Sequence, residues 1–299
     1  MKKGKFIGLL FLITFIFSGC AAYQYNPNFA PQSIIANVEA HRVVIAVYYE
    51  MSENEYLRRM EQKTDYWRKW SIFQNQEDSK IYPYDLEIGP ILISRNQDSQ
   101  NVTVAYLGAG AILKDNHVLS VNHLFSAEHQ ANALAMYVWV LKEGVDHPIK
   151  AYLVARSENE ISKVVYDDYA VIKMEEELGL PGLKISTQDL KDGDKVMFTG
   201  SPGGLAFFTR FGFITRLQNY FRKDAQGILH LSFFQDFPYW TVYPGGPGDS
   251  GGFVANMNGE IATVMYLGLT VHSENYTFCN PVKFLWDFLK KHNLEHLGK

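Results

Sequence analysis

The segment Gly248-Asp249-Ser250-Gly251-Gly252 sets one serine among three glycines. A serine hydroxyl is unreactive at neutral pH, so a base must take its proton during attack. The tetrahedral intermediate that follows bears an oxyanion, which needs two preorganised N–H donors. Gly248 lets the backbone turn so that the N–H groups of Gly248 and Ser250 converge. The two glycines after Ser250 leave room for an extended substrate. An ordinary Gly-rich turn has the same composition, so this motif acquires meaning only with partners.

Two other segments supply them. Gly108-Ala109-Gly110-Ala111-Ile112-Leu113, then Val118-Leu119-Ser120-Val121-Asn122-His123, ends in a histidine after a strand. A base there must reach the serine at hydrogen-bond distance. Tyr166-Asp167-Asp168-Tyr169-Ala170-Val171-Ile172 brings an acid into an apolar strand. Such an acid can bind the second imidazole nitrogen and hold its tautomer. Asp167 and Asp168 compete for this place, and strand alternation puts them on opposite faces. His117, His129, His230 and His272 read as surface or packing residues.

The elements that must position these groups are mostly short strands. The pattern predicts strands over 41–49, 102–113, 118–121, 136–141, 149–155, 169–173, 195–199, 211–217, 228–234, 252–255 and 260–266. Gly108 and Gly110 mark a bulge or a close backbone approach. Asn258-Gly259 signals a hairpin. A softer stretch at 175–194 divides the strands into two similar sets, which argues for antiparallel barrels or sandwiches. Two segments read as helices. Over 52–74, Tyr56, Met60, Lys63, Trp67 and Trp70 recur at alternating spacings of four and three, with Lys63 as the flaw. From Val282 to about Leu297, Leu285, Phe288, Leu289 and His292 share a face.

Together these segments resemble the trypsin-like serine peptidases, most of all the bacterial high-temperature-requirement type. The resemblance lies in Gly108 to Gly110 before the histidine and in Asp168-Tyr169-Ala170-Val171. It extends to Gly200-Ser201-Pro202-Gly203-Gly204, to Pro244-Gly245-Gly246-Pro247 before the serine, and to Phe278-Cys279-Asn280-Pro281 before a last helix. It covers about residues 41 to 297 in order. It implies an all-β fold of two packed six-stranded antiparallel barrels, with an added helix in the 50–100 insertion and a C-terminal helix. It implies His123 as general base, Asp168 as its orienting acid and Ser250 as nucleophile. The family register favours Asp168 over Asp167. The N–H groups of Gly248 and Ser250 would form the oxyanion hole. No metal or cofactor is implied.

The same resemblance makes Tyr266-Leu267-Gly268 the strand edge on which a polypeptide substrate would pair. Pro244 stands where trypsin-like specificity places an acid, so cleavage after Lys or Arg is disfavoured. A small or medium apolar residue before the cut is expected. No PDZ-like module is expected after the peptidase region. The loop after the first strand is often long and regulatory in this family, and the 50–100 insertion falls there as a lid or a contact surface. Asp249 has no freed N-terminus to pair with, so no zymogen switch of that kind is expected. Asp249 must find another partner or face solvent.

The chain opens with Lys2, Lys3 and Lys5, an apolar run from Phe6 to Phe17, and Ser18-Gly19-Cys20. This resembles a bacterial lipoprotein signal, and the run is too short to span a membrane comfortably. The expected division is a signal at 1–19, a tether at 20–40 lipidated on Cys20, an N-terminal barrel over 41–180 and a C-terminal barrel over 181–299. The protein would then sit on the cell envelope, outside the cytoplasm. With 299 residues and 47% hydrophobic positions, the chain can bury a core without staples. Two cysteines exclude a disulfide-rich scaffold. A net charge of -4 without a basic stripe argues against nucleic acid as a partner. The expected function is an exported, lipid-anchored serine endopeptidase acting through an acyl-enzyme. The alternative is a non-catalytic or latent binding module that keeps the fold. Oligomeric state is not legible.

Overall fold

The structure is a computed structural model that describes residues 30–61, 81–85, 88–96, 100–158, 168–191, 193–204, 207–215, 240–242, 248–271, 274–279 and 281–299. Among them, α1 (Gln32–Ala40) leads into β1 (Arg42–Ser52), and a helix α2 follows at 53–61. Strands β2 (Ile81–Asp85), β3 (Ile88–Asn96), β4 (Asn101–Ile112) and β5 (His117–Ser120) come next. A short helix α3 (Ala127–Gln130) precedes β6 (Ala135–Leu141), β7 (Ile149–Arg156) and β8 (Ala170–Met174). The second half holds β9 (Lys195–Gly200), β10 (Phe208–Thr215), β11 (Trp240–Val242), β12 (Phe253–Ala255), β13 (Ile261–Val271), β14 (Glu274–Cys279) and α4 (Val282–Lys291).

Two closed antiparallel barrels result. The first runs β1-β6-β7-β8-β5-β4, and β4 pairs back to β1 along its full length, from Arg42↔Ala111 to Ser52↔Asn101. The second runs β12-β9-β10-β11-β14-β13, closed by β12 on β13. Each ring has six strands among the described residues, and each carries one extra strand from the insertion. β3 adds to β4 in the first barrel, and β2 adds to β13 in the second. Closure removes the unpaired edges that open sheets must manage.

The interior follows from the sequence pattern. In β1, Val43, Ile45, Val47, Tyr49 and Met51 are all buried, as are Val102, Val104 and Tyr106 of β4. Their alternation turns one face of each strand inward. The β1–β4 register has no shift, so Gly108 and Gly110 make no bulge there. The linker between barrels is stitched on both sides. Leu183 N–H donates to Ile112 O at 3.0 Å, and Ser186 N–H donates to Ile261 O at 2.8 Å.

Three expectations need correction. The 20–40 segment is not a tether throughout: over 32–40 it is α1, with Ile35 and Val38 buried. Ile34 and Val38 lie against Gly259 in the β12–β13 turn, so this helix belongs to the folded body. In the insertion, α2 buries Glu55 and Arg59, while Met60 is exposed and Tyr56 half-buried. A hydrophobic stripe therefore does not define its inner face; Lys63, Trp67 and Trp70 lie outside the described residues. The last helix is shorter than 282–297. It ends at Lys291, and a 3-10 turn covers Glu295–Gly298. Its apolar face is Val282, Leu285, Phe288 and Leu289, with His292 at the C-cap. The predicted strand over 228–234 lies outside the described residues.

Candidate active site

Pairing in the first barrel brings two candidate residues to one rim. β5 runs antiparallel to β8, with Ser120 opposite Ala170. His123 lies three residues past that pair, and Asp168 two residues before it. The chain leaving β5 turns at once into a 3-10 turn over His123–Phe125, where all three side chains are buried. Asp168 grips this turn twice. Its Oδ1 accepts the His123 backbone N–H at 2.9 Å, and its Oδ2 lies 2.6 Å from His123 Nδ1. An ionised carboxylate only accepts, so Nδ1 carries the proton and Nε2 is left as the acceptor. Ser250 Oγ lies 2.6 Å from that Nε2 and donates to it.

Neighbouring elements hold the turn. Tyr49 Oη, inside the barrel, donates to Leu124 O at 2.9 Å. Gln130 Nε2 donates to Phe125 O at 2.8 Å, and the Arg156 guanidinium donates to the same oxygen. Beyond the turn, Arg59 of α2 donates to His129 O at 3.0 Å and Ala131 O at 2.6 Å. Glu55 holds that guanidinium at 2.8 Å. Hydrogen bonds from Arg58 and Arg59 bring the Glu55 carboxyl down to about 2. The insertion thus braces the histidine loop from behind.

The second barrel presents Ser250 through its backbone. Gly248 has φ 102° and Gly251 φ 83°, conformations open chiefly to glycine. Ser250 O accepts the Ala109 N–H at 2.6 Å, which ties the serine loop to β4 of the first barrel. A Cβ on Gly108 would sit 2.7 Å from that same Ser250 O. The glycine pattern of β4 therefore marks a close backbone approach between barrels. Ser120 Oγ fixes the other side by donating to Ala109 O at 2.8 Å. On β13, Gly251 N–H donates to Met265 O at 2.8 Å, and Met265 N–H donates to Gly252 O at 2.7 Å.

The fate of the remaining candidates varies. Asp249 does not face solvent; it is fully buried, with its carboxylate against Gly200. Leu267 and Gly268 lie in β13, with Tyr266 where its register against β14 shifts. Pro244, Asp167, Cys20, His230 and His272 lie outside the described residues. His117 is buried, and His129 stacks on Tyr106 with centroids 3.9 Å apart. Cys279 is fully buried. Sequence reasoning missed the braces: Tyr49, Ser120, Arg156 and the Glu55–Arg59 pair. Only the last left a signal, since Glu and Arg four apart are neighbours on a helix.

The group is closed over. Ser250 is 0% exposed, His123 7% and Asp168 3%. A hollow lined by Tyr48, Trp139, Leu141 and Pro148 lies elsewhere, on the outer side of the first barrel.

The model of the trypsin-like peptidase domain family matches residues 108–263, more than half of the chain. The chain belongs to that family. It is a serine-type peptidase, and its matched region holds all three residues of the hydrogen-bonded group. No curated protein matches the peptidase in sequence. Among solved structures, it is similar to Rv3671c from M. tuberculosis H37Rv, as a serine-to-alanine mutant in its inactive form. That likeness has 16% identity, covers 92% of this chain and 97% of the other, and has a TM-score of 0.51. The active form of the Rv3671c protease from M. tuberculosis aligns at 16% identity over 92% and 94% of the two chains, with a TM-score of 0.49. At this identity the first likeness speaks for the fold alone.

Proposed function

We propose that the protein is an exported, lipid-anchored serine endopeptidase whose nucleophile is Ser250. The observation that carries the catalytic part is the unbroken run of 2.6 Å contacts from Asp168 through His123 to Ser250. His123 Nε2 takes the hydroxyl proton as Ser250 Oγ attacks a peptide carbonyl. Asp168 keeps the imidazole in the accepting tautomer and stabilises the imidazolium that forms. The N–H groups of Gly248 and Ser250 receive the oxyanion. Imidazolium then returns the proton to the leaving amine, leaving an acyl-enzyme. Water, deprotonated by the same His123, releases the second product.

Export and anchoring rest on the first twenty residues. Basic Lys2, Lys3 and Lys5, an apolar run and Cys20 support a signal cleaved before a lipidated cysteine. No helix among the described residues is long and apolar enough to cross a membrane. Pro244 near the serine supports an apolar residue, rather than Lys or Arg, before the cut.

The test is labelling of the purified chain by a fluorophosphonate probe, beside Ser250→Ala and His123→Ala. Labelling of the parent alone is expected. Labelling retained in Ser250→Ala would remove Ser250 from the nucleophile's place.

A further inference from the structure

The edge of β13 has two successive occupants. Up to Met265 it is taken by the serine loop and β12, through Gly251, Gly252 and the pairs Phe253↔Val264 and Val254↔Thr263. Ring closure puts β14 on the opposite edge. From Leu267 onward, the edge that β12 leaves is filled by β2 of the insertion, antiparallel, from Leu267↔Asp85 and Gly268↔Tyr84 to Val271↔Ile81. The Asp85 end of β2 therefore lies next to the loop that carries Ser250.

We propose that β2 is a built-in pseudosubstrate and that the peptidase in this conformation is latent. This inference rests on the proposed peptidase site. An extended polypeptide gains most of its affinity by adding a strand to an exposed edge through main-chain bonds. The edge beside Ser250 is the one that can present a peptide carbonyl to that hydroxyl, and β2 already uses it. Three further observations agree. Ser250 is 0% exposed. β3, which starts at Ile88, pairs with the first barrel at Ile88↔Leu107, one residue from Gly108. With only residues 86–87 between β2 and β3, the insertion passes from one barrel to the other beside the serine loop. Finally, β2 is a weak occupant. It has five residues, it is the last strand of its sheet, and Pro83 has no N–H to give the ladder. Such a strand can be displaced.

Substrate must then compete with an intramolecular strand. Its apparent affinity falls by the fraction of molecules whose edge is free. Anything that draws the insertion away raises that fraction.

The experiment replaces the strand in the full chain by combining Ile81→Gly, Tyr82→Ser, Pro83→Gly, Tyr84→Ser and Asp85→Gly. Parent and variant are given fluorescein-labelled unfolded casein and a fluorophosphonate probe. The expected result is casein cleavage at least about tenfold faster in the variant, scaling as the freed fraction. A synthetic peptide of residues 79–87, added in trans, should suppress the gain. Equal or slower casein cleavage by a variant that labels as well as the parent would overturn the pseudosubstrate. Absence of labelling in both chains would overturn the proposed catalytic site itself, and this inference with it. A second variant guards against misfolding of the first. Ile81→Cys with Val271→Cys places thiols on paired residues at the far end of β2, away from Tyr266-Leu267-Gly268. Its oxidised form should lose casein cleavage and regain it on reduction; oxidised protein as active as reduced would reject the idea.

Discussion

Asp168 binds one residue through both its main chain and its ring. Replacing it by asparagine keeps the size and removes the charge. The new side-chain amide can then donate to the imidazole and favour the wrong tautomer. Asp168→Asn should lower kcat about 10⁴-fold while leaving KM nearly unchanged. Steady-state kinetics on a peptide that the parent cleaves, with circular dichroism to confirm folding, checks this. Gly108 acts at one remove, because a Cβ there would press on Ser250 O at 2.7 Å. Gly108→Ala should shift the serine and cost about 10²-fold in kcat, since a displacement near 1 Å is enough. Both residues are legible in the sequence for the same reason. Each has a type that its task demands, an acid to hold a tautomer and a glycine to let backbones touch. Tyr49 and Arg156 support the same turn with side chains that would pass for any core tyrosine or surface arginine.

Among the elements, α2 carries the clearest lesson. Its inner face is the Glu55–Arg59 pair at 2.8 Å, both side chains nearly enclosed. Removing Arg59 leaves Glu55 to Arg58 and takes the donor from the His129 and Ala131 carbonyls, so Arg59→Met should cost about 1–3 kcal/mol in urea unfolding. The Glu55 carboxyl is held down to about 2, so this contribution is complete above about pH 4.5 and fades only as pH falls toward 2. Periodicity of apolar residues cannot find such a face. It served the barrel strands better, because β1 and β4 are apolar, β-branched runs buried along most of their length. It failed for β2, β3, β11 and β14, which are short or mixed in pattern; β2 owes its pairing to β13, far off in sequence, while β3 and β14 pair with the strand next to them in the chain. It failed too for α1, which falls inside the expected 20–40 tether and owes its place to packing against Gly259.

For the whole molecule, two buried histidines set a response to mild acid. Burial holds His41 and His117 below the ordinary imidazole value of 6.5. The unfolded chain takes up both protons as pH falls below about 6.5, and the folded chain resists until lower pH. Stability present above 6.5 is therefore lost as pH drops through the folded values. Tm should be lower at pH 5.5 than at pH 7.5, and His41→Asn with His117→Gln should flatten that slope.

The anchoring proposal belongs to this scale as well. Cys20→Ser should move the protein from the detergent phase to the aqueous phase in Triton X-114 partitioning. Unchanged partitioning would remove the lipid from Cys20.

Helix α1 adds a constraint of timing. It is made before either barrel, yet its docking surface, the turn at Gly259, follows β12 of the second barrel. A chain emerging N-terminus first must carry Ile34 and Val38 uncovered until that turn has appeared. Chains interrupted before Gly259 would keep that sticky surface and invite aggregation or capture by chaperones. Completion of the β12–β13 hairpin is thus the event that seals the first helix.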